Sequence, residues 1–169
     1  DTDTAVSDVT TVSGGVATRV LELTNQDGSQ RSREVTVTSA DGLAVSHKVD
    51  IDFDGDFDSQ TVEVRALGGD GSVTRTVSSY AGNGTTLTGR TTIVESADRR
   101  TKTVATDADG DGHTDRLVQT VEGSDGASTV TDTTFAANGA IVSKSINTIS
   151  ANGLVQNTSL DADGDGVFE

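Results

Sequence analysis

The sequence predicts an all-β protein: antiparallel hairpins in a meander, with about four strands in each repeat of roughly 55 residues. The repeats are expected to form an elongated coiled sheet or a thin sandwich. Three observations carry this. Turn dipeptides recur at short, even intervals. The runs between them are rich in Val and Thr and alternate apolar with polar residues, a period of two rather than 3.6. One acidic nine-residue pattern also occurs three times in register.

The turns come first in chain order. They are Gly14-Gly15, Asp27-Gly28, Asp41-Gly42, Asp54-Gly55, Asp70-Gly71, Asn83-Gly84, Asp111-Gly112, Asp125-Gly126, Asn138-Gly139, Asn152-Gly153 and Asp165-Gly166. Asp98-Arg99 fills the one missing slot. Asx-Gly pairs favour turns because Gly accepts positive φ and Asx residues tolerate the left-handed region. Glu34–Thr38, Thr61–Leu67, Ser72–Val77 and Thr101–Thr106 exemplify the strands between them. No segment carries a helical period.

The repeats follow. Asp50–Asp58, Asp107–Asp115 and Asp161–Glu169 share D-x-D-x-D-G-x-x-[DE], with starts 57 and 54 residues apart. This divides the chain into repeats at 1–58, 59–115 and 116–169, each ending in an acidic loop. Asp1–Asp8 reads as a damaged fourth copy that lacks the central Asp-Gly. Successive turns of a meander alternate between two edges, so loops four turns apart are expected on one edge. A flat twelve-stranded layer with so few apolar residues is not expected. A filling of Val, Leu, Ile, Ala and Thr methyls is.

Composition bounds the function. The chain has 169 residues, a net charge of -15, 32% hydrophobic residues, 27 Thr, 19 Gly and no Cys, Met, Trp or Pro. The hydrophobic share lies below the roughly 45–50% of an average domain. Low hydrophobicity with high charge would ordinarily mean disorder. The β-branched content and the strict repeat argue against it. The absence of cysteine excludes disulfides, zinc–thiolate sites and thiol nucleophiles. No apolar run approaches the roughly 18 residues of a membrane span. Asp1–Thr4 has neither the basic nor the apolar region of a signal peptide. An acidic surface repels phosphate backbones, so no nucleic-acid partner is expected.

The acidic loops read as three Ca²⁺ sites. A hard dication of that size takes six to eight oxygens, and aspartates at positions 1, 3 and 5 of a curling loop converge on one centre. These are Asp50, Asp52 and Asp54; Asp107, Asp109 and Asp111; Asp161, Asp163 and Asp165. Gly at position 6 permits the sharp turn. Position 7 offers a main-chain carbonyl from Asp56, His113 or Val167, and position 9 a carboxylate from Asp58, Asp115 or Glu169. Phe57 and Phe168 at position 8 are expected to anchor their loops, with Thr114 a weaker counterpart. Helices and a bidentate Glu at position 12 would be needed for an EF-hand; position 12 is Thr61 or Val118 here. Mg²⁺ demands tighter octahedral geometry, and zinc wants Cys or His ligands. The loops hold thirteen of the 27 acidic residues, so the remaining charge is close to balance. Loops 2 and 3 share Asp-Ala-Asp-Gly-Asp-Gly, which makes loop 1, with Phe53 and Asp56, the expected outlier.

Catalysis is not indicated. His47 and His113 occur singly, no nucleophile elbow is present, and no Gly-rich loop opens a helix. The expectation is a non-enzyme.

The acidic loop after a short strand, Ser39-Ala-Asp-Gly-Leu43 ahead of it, and Thr-rich strands joined by Asp-Gly-Ser turns together resemble the calcium-binding repeat regions of giant type I-secreted (RTX-like) bacterial proteins and adhesins. The resemblance spans the whole chain but lacks the G-G-x-G-x-D-x-u-x nonapeptide array. The loop alone also resembles thrombospondin type 3 and dockerin calcium loops. The RTX-like resemblance implies an extracellular or cell-surface location, secretion without an N-terminal signal, and a spacer or adhesive role. The resulting expectation is a calcium-stabilised structural segment: a stalk, spacer or filament element of a larger secreted protein. The alternative is a calcium-dependent module that binds a glycan or a protein partner. Head-to-tail self-association through open strand edges is a further expected partner mode.

Overall fold

The computed structural model describes residues 5–169 and is all-β. Its twelve strands are β1 (Ala5–Ser13), β2 (Val16–Thr24), β3 (Gln30–Thr38), β4 (Ala44–Asp50), β5 (Ser59–Leu67), β6 (Val73–Ala81), β7 (Leu87–Glu95), β8 (Thr101–Asp107), β9 (Arg116–Glu122), β10 (Ser128–Phe135), β11 (Ile141–Ile149) and β12 (Gln156–Asp161). Sheet order equals chain order, so the topology is the expected meander. There is no helix among the described residues, hence none long and apolar enough to cross a membrane. Of the fourth acidic copy read at Asp1–Asp8, the first four residues lie outside the described residues. Ala5–Asp8 belong to β1 rather than to a loop.

The chain forms two compact units. One takes in the chain up to Arg65 together with Val77–Thr88; the other takes in Ala66–Thr76 and Gly89–Glu169. In the first, β1 to β5 pair antiparallel in sequence, with Ser13 opposite Val16, Arg33 opposite Asp50 and Val49 opposite Ser59. In the second, β7 to β12 do the same, with Arg90 opposite Asp107 and Lys144 opposite Asp161.

Turn chemistry sets these registers. Gly14 and Gly15 both have positive φ (57° and 84°), as a two-residue type I′ hairpin requires. A longer turn is repeated in each third of the chain. The Ser39 hydroxyl donates to Asp41 Oδ1 (2.6 Å) and accepts from the Ala44 amide (2.9 Å), while the Leu43 amide also donates to Asp41 Oδ1 (3.0 Å). Ser96 with Asp98, and Ser150 with Asn152, reproduce it. Arg99, standing where the other two have Gly, adopts φ 58°. The slot filled by Asp98-Arg99 is thus a turn at some backbone cost, since the left-handed region disfavours a Cβ by about 1–2 kcal/mol.

The expected apolar filling is absent. No hydrophobic residue is buried among the described residues. The buried residues are Asp50, Ser78, Asp107, Thr133 and Asp161. With 32% hydrophobic residues spread over the strands, the Val and Ile side chains reach only partial burial. Exposed diagonal cross-strand pairs also tie the strands. Arg19 grips Asp8 through two bonds (2.8 and 2.6 Å), and Arg116 grips Asp132 in the same way (2.9 and 2.5 Å). Each guanidinium holds its aspartate below the usual carboxylate range. Such exposed pairs contribute little each.

Candidate metal centres

Loop 1 (50–58) joins β4 to β5, loop 2 (107–115) joins β8 to β9, and loop 3 (161–169) follows β12. All three close at the neck by the same backbone bond. The amide at position 9 donates to the carbonyl just before position 1: Asp58 to Val49, Asp115 to Thr106 and Glu169 to Leu160, each at 2.8 Å. The position 9 carboxylate then reaches back to the amide at position 2. Asp58 accepts from Ile51 (2.6 Å), Asp115 from Ala108 (2.6 Å) and Glu169 from Ala162 (3.1 Å).

Inside the loop, carboxylates fold the backbone around themselves. The position 3 aspartate accepts from the amide at position 5: Asp52 from Asp54 (3.3 Å), Asp109 from Asp111 (3.1 Å) and Asp163 from Asp165 (3.3 Å). The position 5 aspartate accepts from the amide at position 7: Asp54 from Asp56 (2.9 Å), Asp111 from His113 (2.7 Å) and Asp165 from Val167 (2.7 Å). Gly55, Gly112 and Gly166 at position 6 take φ of 106°, 93° and 89°. The sharp turn read from the sequence is therefore present in every loop.

Carboxylate oxygens converge within 4.8 Å of one another in each loop. The groups are Asp50, Asp52 and Asp58; Asp107, Asp109 and Asp115; and Asp161, Asp163 and Asp165. Each is able to hold a metal ion. Loops 1 and 2 thus gather positions 1, 3 and 9, and loop 3 gathers positions 1, 3 and 5. Asp54, Asp56, Asp111 and Glu169 stand outside these groups. His113 and Val167 at position 7 are exposed.

Position 1 separates the loops. In loop 2 the Asp107 carboxylate accepts from the amides of Gly110 (2.6 Å) and Gly112 (3.1 Å). In loop 3 Asp161 accepts from Gly164 (2.7 Å) and Gly166 (3.0 Å). In loop 1 the Asp50 carboxylate is wholly buried, and neither oxygen accepts a hydrogen bond. Position 4 differs as well. Gly110 and Gly164 have φ of 78° and 76°, whereas Phe53 is forced to 58°. The Phe53 ring lies 5.5 Å from the Arg33 guanidinium and the Phe57 ring 4.9 Å, with Lys48 5.3 Å from Phe57. Phe57 thus anchors loop 1 as expected, while Phe168 in loop 3 is exposed.

Two features escaped the sequence reading. A glycine permits close approach: a Cβ on Gly82 would fall on the Phe57 carbonyl oxygen, so only glycine lets the end of loop 1 pass there. A basic residue also stands opposite position 1 in every ladder. Arg33, Arg90 and Lys144 each lie 17 residues before their loop's first aspartate. That constant spacing was the available signal.

The histidines do not join the acidic groups. His47 on β4 is half-exposed and pairs with Glu34 at 3.1 Å. No family model matches the chain, and a search of the curated proteins finds no match either.

Proposed function

We propose that this chain is a calcium-stabilised structural repeat segment of a large extracellular protein, serving as a stalk, spacer or filament element. One observation carries the reading. Three of the five buried residues are the first aspartates of the loops, in a chain with no buried hydrophobic residue among those described. Burying a carboxylate is costly unless it is paired or coordinates a cation. A fold that buries one in each loop, beside two further carboxylates, favours states in which a cation neutralises the cluster. Oxygen-only donors, several carboxylates per loop and a main-chain carbonyl at position 7 suit Ca²⁺ better than Mg²⁺ or Zn²⁺.

The physical role follows from linkage. An ion that binds only the folded form adds about 2.7 kcal/mol at 100 times its dissociation constant. Three such sites would replace much of the stabilisation that an apolar core gives other domains. Millimolar extracellular calcium would load sites of the weak class found in extracellular modules, and low cytosolic calcium would leave them open. In this reading the role is mechanical rather than chemical.

The test is a thermal melt followed by circular dichroism in EDTA, in millimolar MgCl₂ and in millimolar CaCl₂, with calorimetric titration for stoichiometry. The expected result is a steep rise of Tm with Ca²⁺ alone and three ions bound. Asp52→Ala and Asp109→Ala should each remove one. Identical melts in the three buffers would reduce the loops to solvated turns and end this reading.

A further inference from the structure

The ladder register sets a cation beside each candidate site. Arg33 faces Asp50, Arg90 faces Asp107 and Lys144 faces Asp161. Directly opposed residues on antiparallel strands share a face, with Cβ atoms about 4.5–5.5 Å apart. At loop 1 the pairing is built in detail. Arg33 Nη2 lies 3.6 Å from Asp50 Oδ2. The guanidinium also lies against the rings of Phe53 and Phe57, both loop 1 residues. Its Nε is buried without a hydrogen-bond partner, as are both oxygens of Asp50.

These facts fit together. A wholly buried carboxylate with no hydrogen bond needs a counter-charge. Arg33 is the charge at hand, and two aromatic faces hold it there through cation–π attraction. The separation of 3.6 Å is too long for a hydrogen bond, so the Asp50 oxygens keep their lone pairs for another cation. An ion held by Asp50, Asp52 and Asp58 would sit close to the guanidinium and be repelled by it.

We propose that Arg33 is a resident counter-cation that sets the metal affinity of loop 1: it neutralises Asp50 when no ion is bound and weakens binding when one arrives. The inference rests on the reading of the loops as calcium sites. Arg90 and Lys144 hold the same register, but Asp107 and Asp161 each have two backbone amides, so loop 1 depends most on its cation. The consequence is a graded array, in which loop 1 responds to calcium at a different concentration from the other two.

The experiment compares wild type, Arg33→Gln and Arg33→Lys by calorimetric titration with CaCl₂ and by melting in EDTA. Arg33→Gln should tighten one of the three sites about tenfold, because a unit charge within several ångströms of the ion is removed. The same variant should melt lower than wild type in EDTA. Those opposite signs are the signature, since a merely structural arginine would weaken both. Arg33→Lys keeps the charge but not the planar group stacked on the rings, so its calcium affinity should lie closer to wild type than that of Arg33→Gln. Three wild-type sites with none tightened in Arg33→Gln would overturn the proposal while leaving the calcium reading intact. Absence of calcium binding by wild type would remove both. Where Arg33→Gln does not fold in EDTA, the double variant Arg33→Gln/Asp50→Asn removes both charges and should fold again with one site fewer. Failure of that recovery also overturns the proposal.

Discussion

In loop 2 the first aspartate accepts the amides of Gly110 and Gly112, whereas in loop 1 the first aspartate accepts none and lies beside an arginine held by two phenylalanines. The two loops share a consensus and a neck, down to the bond that closes each at 2.8 Å. They differ in how a buried carboxylate is compensated. With glycine at position 4, loops 2 and 3 place the amides of positions 4 and 6 on the carboxylate. Loop 1, with phenylalanine at position 4, has neither bond, and the Phe53 ring lies against a side-chain cation. Loop 2 therefore organises itself around its own aspartate, while loop 1 depends on charges brought from outside the loop.

The largest effect expected from this contrast appears when each first aspartate is changed and the protein is melted in EDTA. Asp107→Ala strands the amides of Gly110 and Gly112 and should cost about 3–6 kcal/mol, taking each bond to a charged group at the usual range. Asp50→Asn strands no amide, but it takes the counter-charge from Arg33, whose side chain is part-exposed, and should cost less than Asp107→Ala. Equal losses in the two variants would mean that the loops are compensated alike. In millimolar CaCl₂ both variants should bind one ion fewer than wild type.

Position 4 gives a second, smaller contrast. Gly164 has φ 76°, and a Cβ built there would fall on the Ile141 carbonyl oxygen. Gly164→Ala should therefore destabilise the protein by about 1–3 kcal/mol. Phe53→Gly relieves a left-handed phenylalanine but loses its ring over Arg33. The two terms are each about 1 kcal/mol and oppose each other, so the melt should shift little. Calorimetric titration should still detect the change, because a freed Arg33 guanidinium no longer presses on the site.

Much of this molecule was legible in the sequence because its information is local. Asx-Gly turns at even spacing gave the strand boundaries, and the loop consensus located the three acidic groups before any fold was known. What the sequence reading missed depends on pairs brought together by register. Arg33 and Asp50 meet across a ladder, and Gly82 meets Phe57 by close approach of two segments. Neither is visible in a window of ten residues. The expected apolar filling failed for another reason: alternating Val and Thr predict a strand with one covered face, yet alternation alone does not say what covers it. Position 9 belongs to the acidic group in loops 1 and 2, where it is Asp, and not in loop 3, where it is Glu169. Glu169 reaches its amide at 3.1 Å where the shorter Asp58 and Asp115 reach theirs at 2.6 Å.

The smallest effect separates the repeated Ser-x-Asx turns rather than the loops. Asp41 and Asp98 are held below the usual carboxylate range, first by the serine hydroxyls of Ser39 and Ser96 and then by backbone amides. Asn152 makes the equivalent bonds in the third turn and does not titrate. A depressed folded pKa means that the unfolded chain binds more protons near pH 3.8. Stability from these two turns is therefore present above that value and is lost as pH falls through the lower folded values. Both aspartates are fully exposed, so the loss should be modest. Asp41→Asn and Asp98→Asn should melt like wild type near neutral pH and lose less on acidification, measured in EDTA so that the loops stay metal-free. An acid response unchanged in the double variant would assign the whole pH dependence to the other carboxylates. A reduced response would show that the turns and the loops are separable sources of stability.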